Sequence, residues 1–115
     1  MRKNPTESRI IKHKTDIDRI FKAGKRQSLS CFKVLATDNS LPYSRMVIIP
    51  VKHYGNSVQR NRIRRQVKEI WRTNQEKIPV GFDYAVVVYP EERITYREKE
   101  EALLKLFSNF PVRRK

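Results

Sequence analysis

Three features of the chain predict an α+β fold. Amphipathic stretches with helical spacing stand near both ends and in the middle, β-branched and aromatic runs lie between them, and Gly, Pro and Asn mark most junctions. Together they give the order helix, two strands, helix, strand, helix. At 115 residues the chain has length for one core and not two, so residues 1–115 are taken as one domain. With 38% apolar and 10% aromatic residues it has the material to fill that core.

Residues 1–9 are polar, basic and aperiodic and read as a mobile arm, and 110–115, with the "PVRRK" end, read as frayed. From Thr15, "TDIDRIFKAG" reads as a short helix. Thr15 is its cap, Asp16 and Asp18 suit its positive end, and Gly24 is a left-handed stop. Ile17, Ile20 and Phe21 share one face of it. A sheet is expected to cover that face. "SLSCFKVLAT" (28–37) reads as one strand, "DNSLPYS" (38–44) as a loop, and "RMVIIPV" (45–51) as a second strand running back, antiparallel to the first by loop length. Ser57 is placed to cap a long helix over 58–73, which "EKIPVGFD" ends. "DYAVVVYP" (83–90) is nearly continuous in apolarity and suits a central strand. In "TYREKEEALLKLFSNF", Thr95 and Glu98 stand at capping-box spacing, and Leu103, Leu104 and Phe107 form one face. The chain has no internal repeat or low-complexity tract.

Charge is the strongest compositional signal. There are 26 Lys and Arg against 12 Asp and Glu, a net +14, well beyond what solubility asks of a small domain. The excess points to a polyanion, nucleic acid first and anionic membrane second. No run approaches 18 apolar residues and "MRKNPTESRI" has no signal-peptide core, so a cytoplasmic protein with no membrane partner is expected. Cys31 is the only cysteine. This rules out an internal disulfide and any zinc site with two thiolates, and Cys31 is expected to be a small buried hydrophobe.

The charge concentrates in "QRNRIRRQVKEIWR" (59–72). At about 100° per residue, Ile63, Val67, Ile70 and Trp71 fall in one arc and Asn61, Arg64, Arg65, Lys68 and Arg72 in another. Glu69 stands four residues from Arg65 and can pair with it. Arg72 suits the negative end of the helix, whereas Arg60 and Arg62 oppose its positive end. Phosphate explains arginines there better than stability does. Five Arg to one Lys fits bidentate phosphate recognition.

Side chains for catalysis are scarce. The acids are isolated or lie in the run "EKEE", and only His13 and His53 could act as neutral-pH bases, so a two-histidine ribonuclease assisted by Lys52 is the one protein-only alternative. Single strands are held by cationic tracks with apolar platforms. Phe21, Phe32 and Tyr43 are platform candidates, and Lys12, Lys14, Lys22, Lys25, Arg26, Lys33 and Lys52 are candidates for the track. A DNA-reading helix-turn-helix would need a short companion helix, which is missing before residue 58. The apolar arc has the makeup of a core face, which argues against a membrane-surface helix.

"GNSVQRNRIRRQVKEIWR" resembles the signature segment of the bacterial ribonuclease P protein component at Arg60, Asn61, Arg62, Arg64, Arg65, Lys68 and Glu69. "IFKAGKRQSLSCFKVLATD", "RMVIIPVKHYGN" and "FDYAVVVYP" resemble that family's first helix and strand, the strand and loop before the signature, and the last strand. Arg64 and Lys68 are charge-preserving departures. In "PVKH" Lys52 matches, while His53 replaces a lysine. Phe21 matches a cleft aromatic, whereas Ile17 and Leu35 stand where Phe and Tyr are common and can offer only apolar contact.

The resemblance implies a two-layer sandwich like the second domain of ribosomal protein S5, with a left-handed βαβ crossover, where the general rule for such crossovers is right-handed. It implies a ribonuclease P subunit with no catalytic or metal-binding side chain, in which a catalytic RNA subunit holding magnesium cleaves the 5′ leader from precursor tRNA. The RNA would meet Arg60, Asn61, Arg62, Arg64, Arg65, Lys68 and Arg72, with Lys52 and His53. The leader would lie in a cleft formed by Ile17, Phe21, Phe32 and Leu35. A structural RNA-binding protein, such as a ribosomal one, is the alternative.

Overall fold

A strand whose two faces are both apolar belongs inside a sheet, and residues 82–88 form one: six of the seven are buried. The computed structural model describes residues 10–91 and 93–110, so the arm expected over 1–9 and the end over 111–115 lie outside the described residues. The elements run α1 (Lys14–Ala23), β1 (Lys25–Leu29), β2 (Phe32–Asp38), β3 (Arg45–Pro50), α2 (Ser57–Thr73), a 3₁₀ turn (Gln75–Lys77), β4 (Phe82–Val88) and α3 (Tyr96–Asn109). The sheet order is β1-β2-β4-β3.

Two expectations about strands are corrected. The run read as one strand over 28–37 is part of a hairpin, with Leu29 paired to Phe32 across the Ser30-Cys31 turn. Ser30 takes φ 59° there, a conformation that favours Gly or Asn, so the turn has no local sequence signal. β2 and β3 do run in opposite directions, but they are not neighbours. β4 lies between them, antiparallel to β2 and parallel to β3. β4 can bury both its faces only in an inner position, and this outweighs the seven-residue loop that suggested a hairpin.

Alternation sorts the side chains into two clusters. Phe32, Val34, Ala36, Met46, Ile48, Tyr84, Val86 and Val88 face α2 and α3. Those helices contribute Ile63, Val67, Ile70 and Trp71, and Ala102, Leu103, Leu106 and Phe107. Leu104 is only half-buried, so Ala102 and Leu106 complete the α3 seam where Leu104 was expected. Trp71 meets Phe107 edge-on at 5.6 Å and Tyr84 at 6.0 Å. On the other face Leu35, Ala85 and Val87 pack with Ile11 and with Ile20 of α1. The sheet with α2 and α3 makes the expected two layers, and α1 covers part of the reverse side.

The helix ends also differ in detail. α1 starts at Lys14 after His13, which makes no side-chain cap, so Thr15 lies inside the helix. Gly24 is extended at φ −73° and not left-handed. Glycine is needed there for space: a Cβ would run into the Ile20 carbonyl oxygen and lie 3.1 Å from that of Ala36. α2 is capped by Asn56 in place of Ser57, in a reciprocal box with Gln59. Thr95 and Glu98 form the expected box at α3. Cys31 is buried, and burial pushes its thiol pKa up.

Candidate nucleic-acid interface

The parallel β3-α2-β4 connection lays α2 against the sheet with its apolar arc inward. The opposite side therefore meets solvent. Asn61, Arg62, Arg65, Lys68 and Arg72 are exposed along it and Arg64 is half-buried. Glu69 pairs with Arg72 at 2.6 Å, and not with Arg65. That pair is about half exposed on both sides and contributes little. Among the described residues Arg65 and Lys68 thus have no ion-pair partner and keep their charge at the centre of the stripe.

Arg60 turns back toward the body of the protein. Its guanidinium donates to the carbonyls of Val51 at 2.8 Å, Lys52 at 3.3 Å and Pro50 at 3.4 Å. These bonds fix the turn that carries Lys52 and His53, both exposed, to the first turn of α2. The sequence placed Arg60 with the phosphate contacts; the fold gives it a second task of holding the loop in place.

The reverse side of the sheet presents an apolar surface beside α1. Ser28, Lys33, Val87 and Ile49 stand in register across the four strands. Val47, Ile49 and Val51 are partly buried there together with Ile17. Phe21 is 39% exposed on α1, and Tyr89, one residue past β4, is 38% exposed. Two expected cleft residues do not reach this surface. Phe32 is 1% exposed and faces α2 and α3 by strand alternation, and Leu35 is 0% exposed beneath α1. Ile17 packs on this surface, and Phe21 is exposed one turn further along α1. Val47, Ile49, Val51 and Tyr89 were missed, although the alternation in "RMVIIPV" puts the first three on one face. Tyr43 is half-buried in the loop after β2, away from this row.

α1 is held in place by a buried charge. Asp83 is 0% exposed and accepts from Arg45 at 2.6 and 2.9 Å, Arg19 at 2.6 Å and Asn39 at 2.9 Å. Asp16 lies 3.7 Å from both guanidiniums. Burial pushes the Asp83 carboxyl up, but the hydrogen bonds from Arg45, Asn39 and Arg19 outweigh it and hold the carboxyl below the usual carboxylate range. The Asp83 carboxylate in turn raises the Arg45 pKa. No local pattern in the sequence marks this cluster, because Arg19 and Asp83 are 64 residues apart.

Among the described residues no group of three or more His, Cys, Asp and Glu could hold a metal ion, and no helix is long and apolar enough to cross a membrane. A sheet backing a cationic helix on one side and an apolar, lysine-bearing surface on the other defines a strongly basic α+β protein with two candidate surfaces for a polyanion. Residues 6–111 match the family model described as Ribonuclease P. The chain belongs to that family, the protein components of a tRNA-processing ribonucleoprotein.

It is 36% identical over 110 residues to the ribonuclease P protein component of Thermotoga maritima, covering 87% of this chain and 92% of that one. Over 76 residues it is 43% identical to the component from Nitrosococcus oceani, with 65% and 63% covered. The solved Thermotoga maritima protein superposes with a TM-score of 0.82 at 33% identity, over 87% of this chain and 96% of the other. A Staphylococcus aureus ribonuclease P protein gives a TM-score of 0.80 at 26% identity, over 90% and 96%.

Proposed function

We propose that the protein docks on the catalytic RNA subunit of ribonuclease P in the cytoplasm through Asn61, Arg62, Arg64, Arg65, Lys68 and Arg72. Arg60, Lys52 and His53 extend that contact at its amino-terminal end, and the apolar surface beside α1 takes the 5′ leader of precursor tRNA. The observation that carries this reading is the separation of the two surfaces on opposite sides of one sheet, so that each can bind RNA without displacing the other.

Ile17, Phe21, Val47, Ile49 and Val51 offer apolar contact to unstacked bases, and Lys33 offers charge to the backbone, a combination tolerant of leader sequence. The protein contributes position and charge to the reaction, and the partner RNA performs the hydrolysis with magnesium. Apart from Asn61 the side chains of the stripe are guanidinium and ammonium groups, which repel a cation, so the magnesium would sit on RNA phosphates.

Reconstitution tests this. Added to a bacterial ribonuclease P RNA at low magnesium, the protein should restore cleavage of leader-bearing precursor tRNA. An RNA that is equally active with and without it would reject the reading.

A further inference from the structure

Between the first turns of α2 and α3 and the segment after β4 lies a cavity of about 270 Å³. Tyr54, Ile63, Pro90 and Ile94 give it apolar walls, and Gln59, Arg62, Gln66, Lys99 and Glu91 give it polar groups. Arg62 belongs both to this cavity and to the exposed stripe of α2, so the cavity opens onto the surface assigned above to RNA.

The polar groups have a definite hydrogen-bonding character. The Gln59 Oε1 accepts from the Asn56 N–H at 3.0 Å, and the Gln66 Oε1 accepts from the Lys99 ammonium at 2.7 Å. Both amides are left with N–H₂ groups to offer. Arg62 has no hydrogen-bond or ion-pair partner among the described residues. Lys99 has further protons to donate. The single carboxylate is that of Glu91, the strongest acceptor of the lining, which already takes the Arg93 N–H at 3.2 Å and has lone pairs left. The cavity thus joins several donors and one carboxylate between apolar walls.

We propose that it takes one unstacked guanine of the partner RNA. Guanine carries the O6 and N7 acceptors along one edge, facing the arginine, lysine and amide donors. Its adjacent N1–H and N2–H₂ groups form a donor pair that a carboxylate can accept in parallel. Adenine puts an amino donor where guanine has O6, and uracil gives the carboxylate one N–H flanked by two acceptors. The volume lies just below the roughly 300–1,000 Å³ of pockets for drug-sized ligands, which suits a smaller ligand such as a single base, and Tyr54 offers a ring for stacking. The phosphates would remain outside, beside the α2 stripe.

This inference rests on the reading that α2 faces RNA, and its first test needs no ribonuclease P RNA. The full chain is titrated with GMP, AMP, UMP and inorganic phosphate at fixed ionic strength while the Ile63 and Ile94 methyls and the Gln66 side-chain amide are followed by NMR. GMP should move these signals with an affinity at least about 10-fold above AMP or UMP, phosphate alone should leave the methyls in place, and Glu91→Gln should remove the preference. Equal responses to the three nucleotides, a response reproduced by phosphate, no response, or an unchanged preference in Glu91→Gln would each overturn it. With ribonuclease P RNA, Glu91→Gln should weaken binding about 10-fold without altering the salt slope, because the carboxylate touches no phosphate. Unchanged affinity would also overturn the proposal. Failure of the wild-type protein to stimulate cleavage would instead reject the ribonuclease P reading and leave the nucleotide result standing.

Discussion

Asp83→Asn removes the buried charge that holds Arg19 and Arg45 together, and its cost follows from the geometry. The carboxylate accepts four hydrogen bonds of 2.6 to 2.9 Å at zero exposure. Removing one partner of a buried pair costs about 3–5 kcal/mol. Here the Arg19 and Arg45 side chains are 40% and 21% exposed, and Asp16 lies 3.7 Å from each. Solvent and the second carboxylate therefore return part of the loss, and the low end, about 3 kcal/mol, is expected. At roughly 4 °C per kcal/mol for a domain of this size, Tm should fall by about 12 °C.

Urea unfolding at constant ionic strength measures this, with m unchanged if only stability is affected. The pH dependence gives a second check. Because the folded Asp83 carboxyl is held below its unfolded value of about 3.9, its contribution is present above about pH 4 and lost as pH falls through the folded value. The gap between wild type and Asp83→Asn should be constant from neutral pH to about pH 5 and shrink below about pH 4. A loss under about 1 kcal/mol, the range of an exposed pair, or a gap that persists undiminished in acid, would refute the role given to this cluster.

Arg65→Ala should weaken binding to ribonuclease P RNA and lower the salt slope by about 0.7 to 0.9, measured by filter binding across salt concentrations, with no effect on stability. Arg60→Ala should in addition lower Tm, because three carbonyls lose their donor. Phe21→Ala should reduce affinity for leader-bearing precursor tRNA by about 5- to 100-fold while sparing the leaderless product and leaving Tm nearly unchanged, since base–ring contacts contribute about 1–3 kcal/mol and the ring is 39% exposed; equal loss on both RNAs would remove it from the leader site. With a net charge of +14, the free protein should gain Tm on adding sulfate, more than on adding chloride at equal ionic strength; equal melting curves would count against anion binding by the folded state.

Much of what is local in this fold could be read from the sequence, although the caps of α1 and α2 were each misplaced. The seam of Ile63, Val67, Ile70 and Trp71, the Thr95 and Glu98 box, and the inner placement of the last strand all come from short-range periodicity or capping chemistry. What escaped was decided by distant partners. β1 was merged into its neighbour because Ser30-Cys31 has no turn residue, and β2 was paired with β3 because loop length says nothing of a strand arriving later. Phe32 was given to the cleft although period-two alternation with Val34 and Ala36 puts it on the opposite face from Leu35. Asp83 looked like the flank of an apolar run, since the arginines that define it are contributed by α1 and β3. The cationic stripe was legible as a stripe; that Arg60, expected at phosphate, also holds the loop, and that Glu69 pairs with Arg72, follow only from the folded arrangement.

The sheet order has a consequence for biosynthesis. β4 is the last strand made, yet it is the only one that joins β2 to β3, with Phe32 pairing to Val88 and Arg45 lying beside Asp83. While the chain is emerging from the ribosome, α1, the hairpin, β3 and the whole of α2 are already outside with no sheet to share. The protein at that stage is a string of cationic, half-apolar segments. Only when residues 82–88 arrive can both faces close and Asp83 reach Arg19 and Arg45. The two sides of the sheet thus come into being together, in one late step that depends on contacts of long sequence separation, the kind that folds slowly.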